Sequence, residues 1–187
     1  MKKHQMALTT AAAAVLLVGL VGCGGSSSTG GTDTSNSVAE SAGGAVSKYQ
    51  VAEELQPLTK AVVAYTDADY GEDPADPATL AQAEANFEEV LVAEKEWLAF
   101  AGGIDYTASD IPGLEPAIEG YNSALDDWQA LQESGLIMWQ DCIDASNDST
   151  AVAMCIVQGY SPSDEQTALT NYTAAVKKLL GVLGVAL

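Results

Sequence analysis

Apolar residues recur three and four positions apart along four separate stretches of this chain, a spacing that fits an α-helix and fits a strand poorly. Val51, Leu55, Leu58, Val62 and Tyr65 form the first stretch, and Leu80, Ala83, Phe87, Val90, Trp97 and Ala101 the second. Ile118, Tyr121, Leu125 and Trp128 form the third, and Leu169, Tyr172, Val176, Leu179, Leu183 and Ala186 the fourth. Side chains so spaced share one helix face, so each stretch presents a stripe that must be buried. No run alternates apolar and polar residues for long enough to predict a strand.

Helix-ending and helix-starting residues stand between the stripes. Asp76-Pro77 and Ser161-Pro162 each place a capping side chain before a proline at the first helical position. Gly102-Gly103 closes the second segment, and Ser109 to Pro112 opens the third. The expectation is an all-α domain over residues 47–187, an antiparallel four-helix bundle with helices near 46–70, 77–101, 112–143 and 162–184. One additional short helix is predicted near 149–159. Pro57 conflicts locally with the first helix, which must kink there or start there.

Upstream of this domain the chain changes character. Lys2, Lys3 and His4 precede an apolar run from Ala7 to Val21, which ends at Leu20-Val21-Gly22-Cys23 and gives way to a Gly/Ser/Thr tract. Those four residues resemble the lipobox of bacterial lipoprotein signal peptides. The resemblance implies that residues 1–22 are a cleaved leader and that the Cys23 sulfur carries a covalent diacylglycerol. It also implies that the mature protein stays lipid-anchored to the cell membrane on its extracytoplasmic face. The apolar run is short for a membrane-spanning helix and closely followed by small residues, as a leader should be. Residues 23–46 have the composition of a flexible linker, with no aromatic residue. A coil of about 23 residues reaches roughly 26 Å, which leashes the domain near the bilayer.

Charge excludes one class of partner. All 26 acidic residues follow Cys23, against five lysines, Lys48, Lys60, Lys95, Lys177 and Lys178, for a formal charge of −21; the chain has no arginine. Nucleic-acid binding needs a cationic face, and this domain presents the opposite sign. Anionic lipid should repel it too, and phosphate or carboxylate ligands would find no guanidinium fork. Protein or cell-wall partners that are cationic or neutral are compatible, and the acidity also serves solubility.

Cys142 and Cys155 are the thiols left once Cys23 is acylated. Even in number and in an oxidising compartment, they predict a disulfide, with free core cysteines or an intermolecular link as the alternatives. Their spacing suits neither zinc nor a redox Cys-x-x-Cys pair.

Catalysis is narrowed by composition. The single histidine, His4, lies in the leader, so His-based nucleophilic, di-iron and heme chemistry have no ligand or base in the mature chain. Carboxylates remain. Glu133-Ser134 superficially resembles the catalytic start of helical lytic transglycosylases, but Gly135-Leu136-Ile137-Met138 departs from the family's following signature. Asp67, Asp69, Asp73 and Asp76, with Glu72, surround Gly71 and offer hard oxygen ligands for calcium, although the spacing is not that of an EF-hand. Glu94 falls at a core-spaced position, and Leu91 and Leu98 are expected to turn the buried centre away from it. Trp97 and Trp128 belong to stripes, whereas Trp139 is the tryptophan expected to line a groove.

Together these features predict a membrane-anchored extracytoplasmic lipoprotein with a helical binding or interaction domain and no enzymatic activity. Two alternatives come from other classes. A small-ligand binding or sensor domain requires a cavity lined by tryptophan and carboxylates, and a carboxylate-dependent cell-wall hydrolase requires a cleft holding two acids.

Overall fold

Ser47 sets the start of the first helix. Its hydroxyl accepts the Gln50 amide at 3.2 Å while the Gln50 side chain accepts the Ser47 amide at 2.9 Å, a reciprocal capping box. In the computed structural model, which describes residues 45–71 and 73–185, this cap begins α1 (Lys48–Asp67). It is followed by α2 (Pro77–Gly102), α3 (Leu114–Ala145), the short α4 (Ser149–Gly159) and α5 (Pro162–Leu183). The fold is all-α, as the stripes predict, and its helix ends lie within three residues of the expected ones. The leader, Cys23 and nearly all of the linker lie outside the described residues.

Local chemistry explains the ends. Asp76 caps α2 by accepting the Ala78 amide at 2.9 Å, and Asp148 caps α4 by accepting the Ala151 amide at 2.8 Å. Ser161 does not cap with its side chain as expected. Its hydroxyl pairs with that of Ser163 at 3.2 Å, and its carbonyl oxygen accepts the Asp164 and Glu165 amides instead. Gly113 precedes α3 at a φ of 77°, and Gly184 ends α5 at a φ of 73° with the Val185 amide bonded back to the Leu180 carbonyl. Pro57 neither starts nor ends α1. It sits on the exposed face, where the carbonyl left without a donor, that of exposed Glu53, meets water.

The four long helices close into a ring. α1 packs against α2 and α5, and α3 packs against the same two, while α4 packs on α3. Neighbours run antiparallel: Tyr65 near the end of α1 meets Phe87 in the first half of α2, and Lys48 at the start of α1 reaches Gly184 at the end of α5. This is the predicted bundle.

Along its axis runs a column of aromatic rings. Trp128 meets Tyr65 edge-on at 5.7 Å and stacks on Tyr172 at 5.9 Å; Tyr172 meets Tyr121 at 5.8 Å, and Tyr121 meets Trp97 edge-on at 5.8 Å. Phe87 and Phe100 extend the two ends at 5.4 and 5.9 Å. Every spacing falls in the favourable range for tilted or offset rings.

Four of the polar tips are paired. Trp97 Nε1 donates to Asn122 Oδ1 at 2.8 Å, Tyr65 donates to Gln132 Oε1 at 3.2 Å, and the Tyr121 and Tyr172 hydroxyls share a bond of 3.3 Å. Burial pushes the Tyr172 phenol up to about 12 and raises those of Tyr65 and Tyr121, so the column stays uncharged at neutral pH. Trp128→Ala should cost about 3–5 kcal/mol in urea unfolding, whereas Tyr49→Ala, at a residue 76% exposed, should cost less than about 0.5 kcal/mol. Similar losses for the two would remove Trp128 from the centre of the fold.

Candidate functional site

α3 is longer than its partners, at 32 residues against 20, 26 and 22 for α1, α2 and α5. Its C-terminal third needs additional cover. On one side α4 folds back along it, with Gly159 against Met138 and a Cys142–Cys155 disulfide across a Cα separation of 5.8 Å. Closing a loop of that size is worth about 3 kcal/mol on chain-entropy grounds.

The connection between α1 and α2 covers another side. Trp139 Nε1 donates to the Pro74 carbonyl at 2.7 Å, and the Ser149 hydroxyl donates to Asp73 Oδ1 at 2.7 Å. Asp73 also accepts the Ala75 amide, and these two bonds, the one from Ser149 foremost, hold its carboxyl below the usual range.

Three carboxylates of the acidic connection serve local hydrogen bonds. Asp69 accepts the Gly71 amide at 3.0 Å, Asp73 is engaged as above, Asp76 caps α2, and Asp67 is the last residue of α1. Among the described residues no three Asp, Glu, His or Cys side chains gather around a point that would hold a metal. Glu72 lies outside them.

Between α2 and the C-terminal half of α3 lies an open groove of about 500 Å³. Phe87 and Leu91 from α2, with Leu136 and Ile137 from α3, supply its apolar floor. Leu91 is 42% exposed and Ile137 59%. Carboxylates stand along both sides, Glu84 and Glu88 on α2, Glu133 and Asp141 on α3. The arrangement follows from helical spacing: positions 84, 88 and 91 lie on successive turns, as do 133, 137 and 140–141.

Glu133 thus enters the site as a solvated member of an acidic rim. Trp139, expected to line a groove, is turned to the α1–α2 connection and is not among the lining side chains. The groove was not anticipated as a unit, because its two faces come from helices whose pairing a stripe pattern leaves open. One legible signal was the exposed side of α2, where Leu91 accompanies Glu84 and Glu88.

Glu94 lies half-buried at the edge of its stripe, though not for the reason expected. Leu91 and Leu98 are the exposed residues, and the buried stripe passes through Val90, Trp97 and Ala101, taking Glu94 partly inward with it. Its Oε2 accepts a 3.0 Å bond from Gln129, which is only 8% exposed. Gln129 lies four positions past Leu125 on the α3 stripe, so the pairing was readable once α2 and α3 were known neighbours. Burial raises the Glu94 carboxyl, the Gln129 bond opposes that shift, and the negative charge of Asp126 adds to it.

Compared with protein families, curated proteins and solved structures, the chain matches none. The groove is therefore interpreted from its own chemistry.

A raised carboxyl means that the folded state binds the proton more tightly than the unfolded chain does. Glu94 then favours folding when protonated and opposes it as pH rises through its folded-state value. Glu94→Gln, which keeps an acceptor for Gln129, should be more thermostable than the native chain at pH 7. The difference should close on acidification below the ordinary glutamate range. A melting-temperature gap that widens toward acid would contradict the raised carboxyl.

Proposed function

We propose that this chain is a lipid-anchored protein of the extracytoplasmic membrane face whose helical body works by binding another macromolecule, without catalysis. The observation that supports the binding role is the groove between α2 and α3. Leu91 and Ile137 are left in water there within one groove, whereas Tyr49, Val92, Leu98, Met154 and Val157 are exposed outside it, and exposed apolar surface gathered in one place marks interaction sites. An enclosed small-molecule site buries about 70–90% of its ligand, whereas this groove is more open than enclosed and suits a macromolecular partner better.

The anchoring half of the reading rests on Leu20-Val21-Gly22-Cys23 and the polar tract that follows it. Two acyl chains on Cys23 would suffice for stable attachment. A soluble partner would then be met at the membrane surface rather than in bulk.

Two measurements test the two halves. Cys23→Ala should move the chain from the membrane fraction to the soluble fraction while leaving its helical circular dichroism unchanged; retention in the membrane argues against acylation at Cys23. A benzophenone amino acid placed at Ile137 in cells should yield discrete cross-linked adducts that the same group at Tyr49 does not. The same adducts from both positions, or none from Ile137, would count against the groove as a contact surface.

A further inference from the structure

The side chains that border the groove specify more than a place of contact. Its floor is apolar, and its two walls carry Glu84 and Glu88 on one helix, Glu133 and Asp141 on the other. No cation lines it. Lys95, one turn beyond Leu91 on the same helix face, is the nearest lysine along α2 and is not among the lining residues. The walls therefore carry one sign of charge along both edges of an apolar strip.

From this we infer that the groove receives a cationic amphipathic helix of a partner protein, its apolar stripe on Phe87, Leu91, Leu136 and Ile137 and its lysines or arginines against the two acidic walls. The inference rests on the reading of this groove as a contact surface. Complementarity of both kinds carries it. An amphipathic helix lays an apolar stripe into a groove by residues three, four and seven apart, and the polar residues flanking that stripe come to lie over the groove walls. Glu133 and Asp141 are eight positions apart, about 12 Å of helix rise, and Glu84 and Glu88 four, about 6 Å, so one wall flanks roughly two turns of an incoming helix and the other about one.

A second copy of this chain is the poorer occupant. It would bring seven lysines against 26 acidic residues to walls that are already negative. A neutral apolar partner would cover the floor and leave four carboxylates without counter-charges at the edges.

The test uses the full chain with benzophenone at Ile137 and, as control, at Tyr49. The probes are three helical peptides of about 15 residues with the same leucine stripe, flanked by lysine, by glutamine or by glutamate. The lysine peptide should cross-link at Ile137 and not at Tyr49. Its half-saturating concentration should rise about tenfold or more when Glu84→Gln, Glu88→Gln, Glu133→Gln and Asp141→Asn are combined. Exposed ion pairs are individually weak, and four acting together reach that size. All four positions are exposed, and unchanged circular dichroism would show that the variant folds.

Equal cross-linking by the glutamine or glutamate peptide would overturn the cationic assignment and leave the groove standing as a contact surface. Unchanged lysine-peptide affinity in the neutralised variant would overturn it as well. Failure of every peptide at Ile137, with discrete adducts still forming there in cells, would overturn the assignment alone. The absence of both would overturn the contact surface with it.

Discussion

Trp128 touches Tyr65 from α1 on one side and Tyr172 from α5 on the other, and the remaining elements take their registers from that contact. Shifting α5 along its axis by one turn would break the Tyr172 stacking and its shared hydroxyl bond with Tyr121 together. Shifting α2 would break Phe87 from Tyr65 and Trp97 from Tyr121. Aliphatic cores tolerate such slips better, because leucine packs against leucine in many alignments. Large rings with directional preferences and a polar atom to satisfy do not.

With the bundle locked at that level, the surplus length of α3 becomes the source of everything distinctive. A free-standing C-terminal third would expose Cys142, Met138 and Trp139. The chain covers them with α4, through a covalent bridge, and with the α1–α2 connection, through the Trp139 and Ser149 hydrogen bonds. The side facing α2 is left partly open. Phe87 and Leu136 are reached from the core, but Ile137 and Leu91 lie too far out for any other helix to cover.

Stripes of period 3.6 made the four long helices and their order legible, since each depends on residues close in sequence, and the disulfide was legible from the count of two cysteines beyond Cys23. Asp76 announced its helix start; Ser161 misled, because a serine hydroxyl can bond a neighbouring hydroxyl as easily as a backbone amide. The placement of Glu94 was not legible from α2 alone. Whether a carboxylate on a stripe turns outward depends on what faces it, and Gln129 is 35 positions away. Trp139 illustrates the same limit: its indole was aimed by a carbonyl at Pro74, 65 positions earlier. The groove was the least legible feature, since it exists only where two particular helices lie side by side.

The direction of α1 carries a last consequence. The first helix begins at Lys48, beside the end of α5, while the groove lies toward the other end of α1, level with Tyr65 and Phe87. A helix of 20 residues is about 30 Å long, so chain attachment and groove occupy opposite poles of the molecule. The chain that leads to α1 from residues 23–46 therefore joins the body at its base, and anything tethered through that segment attaches at the pole away from the acidic mouth.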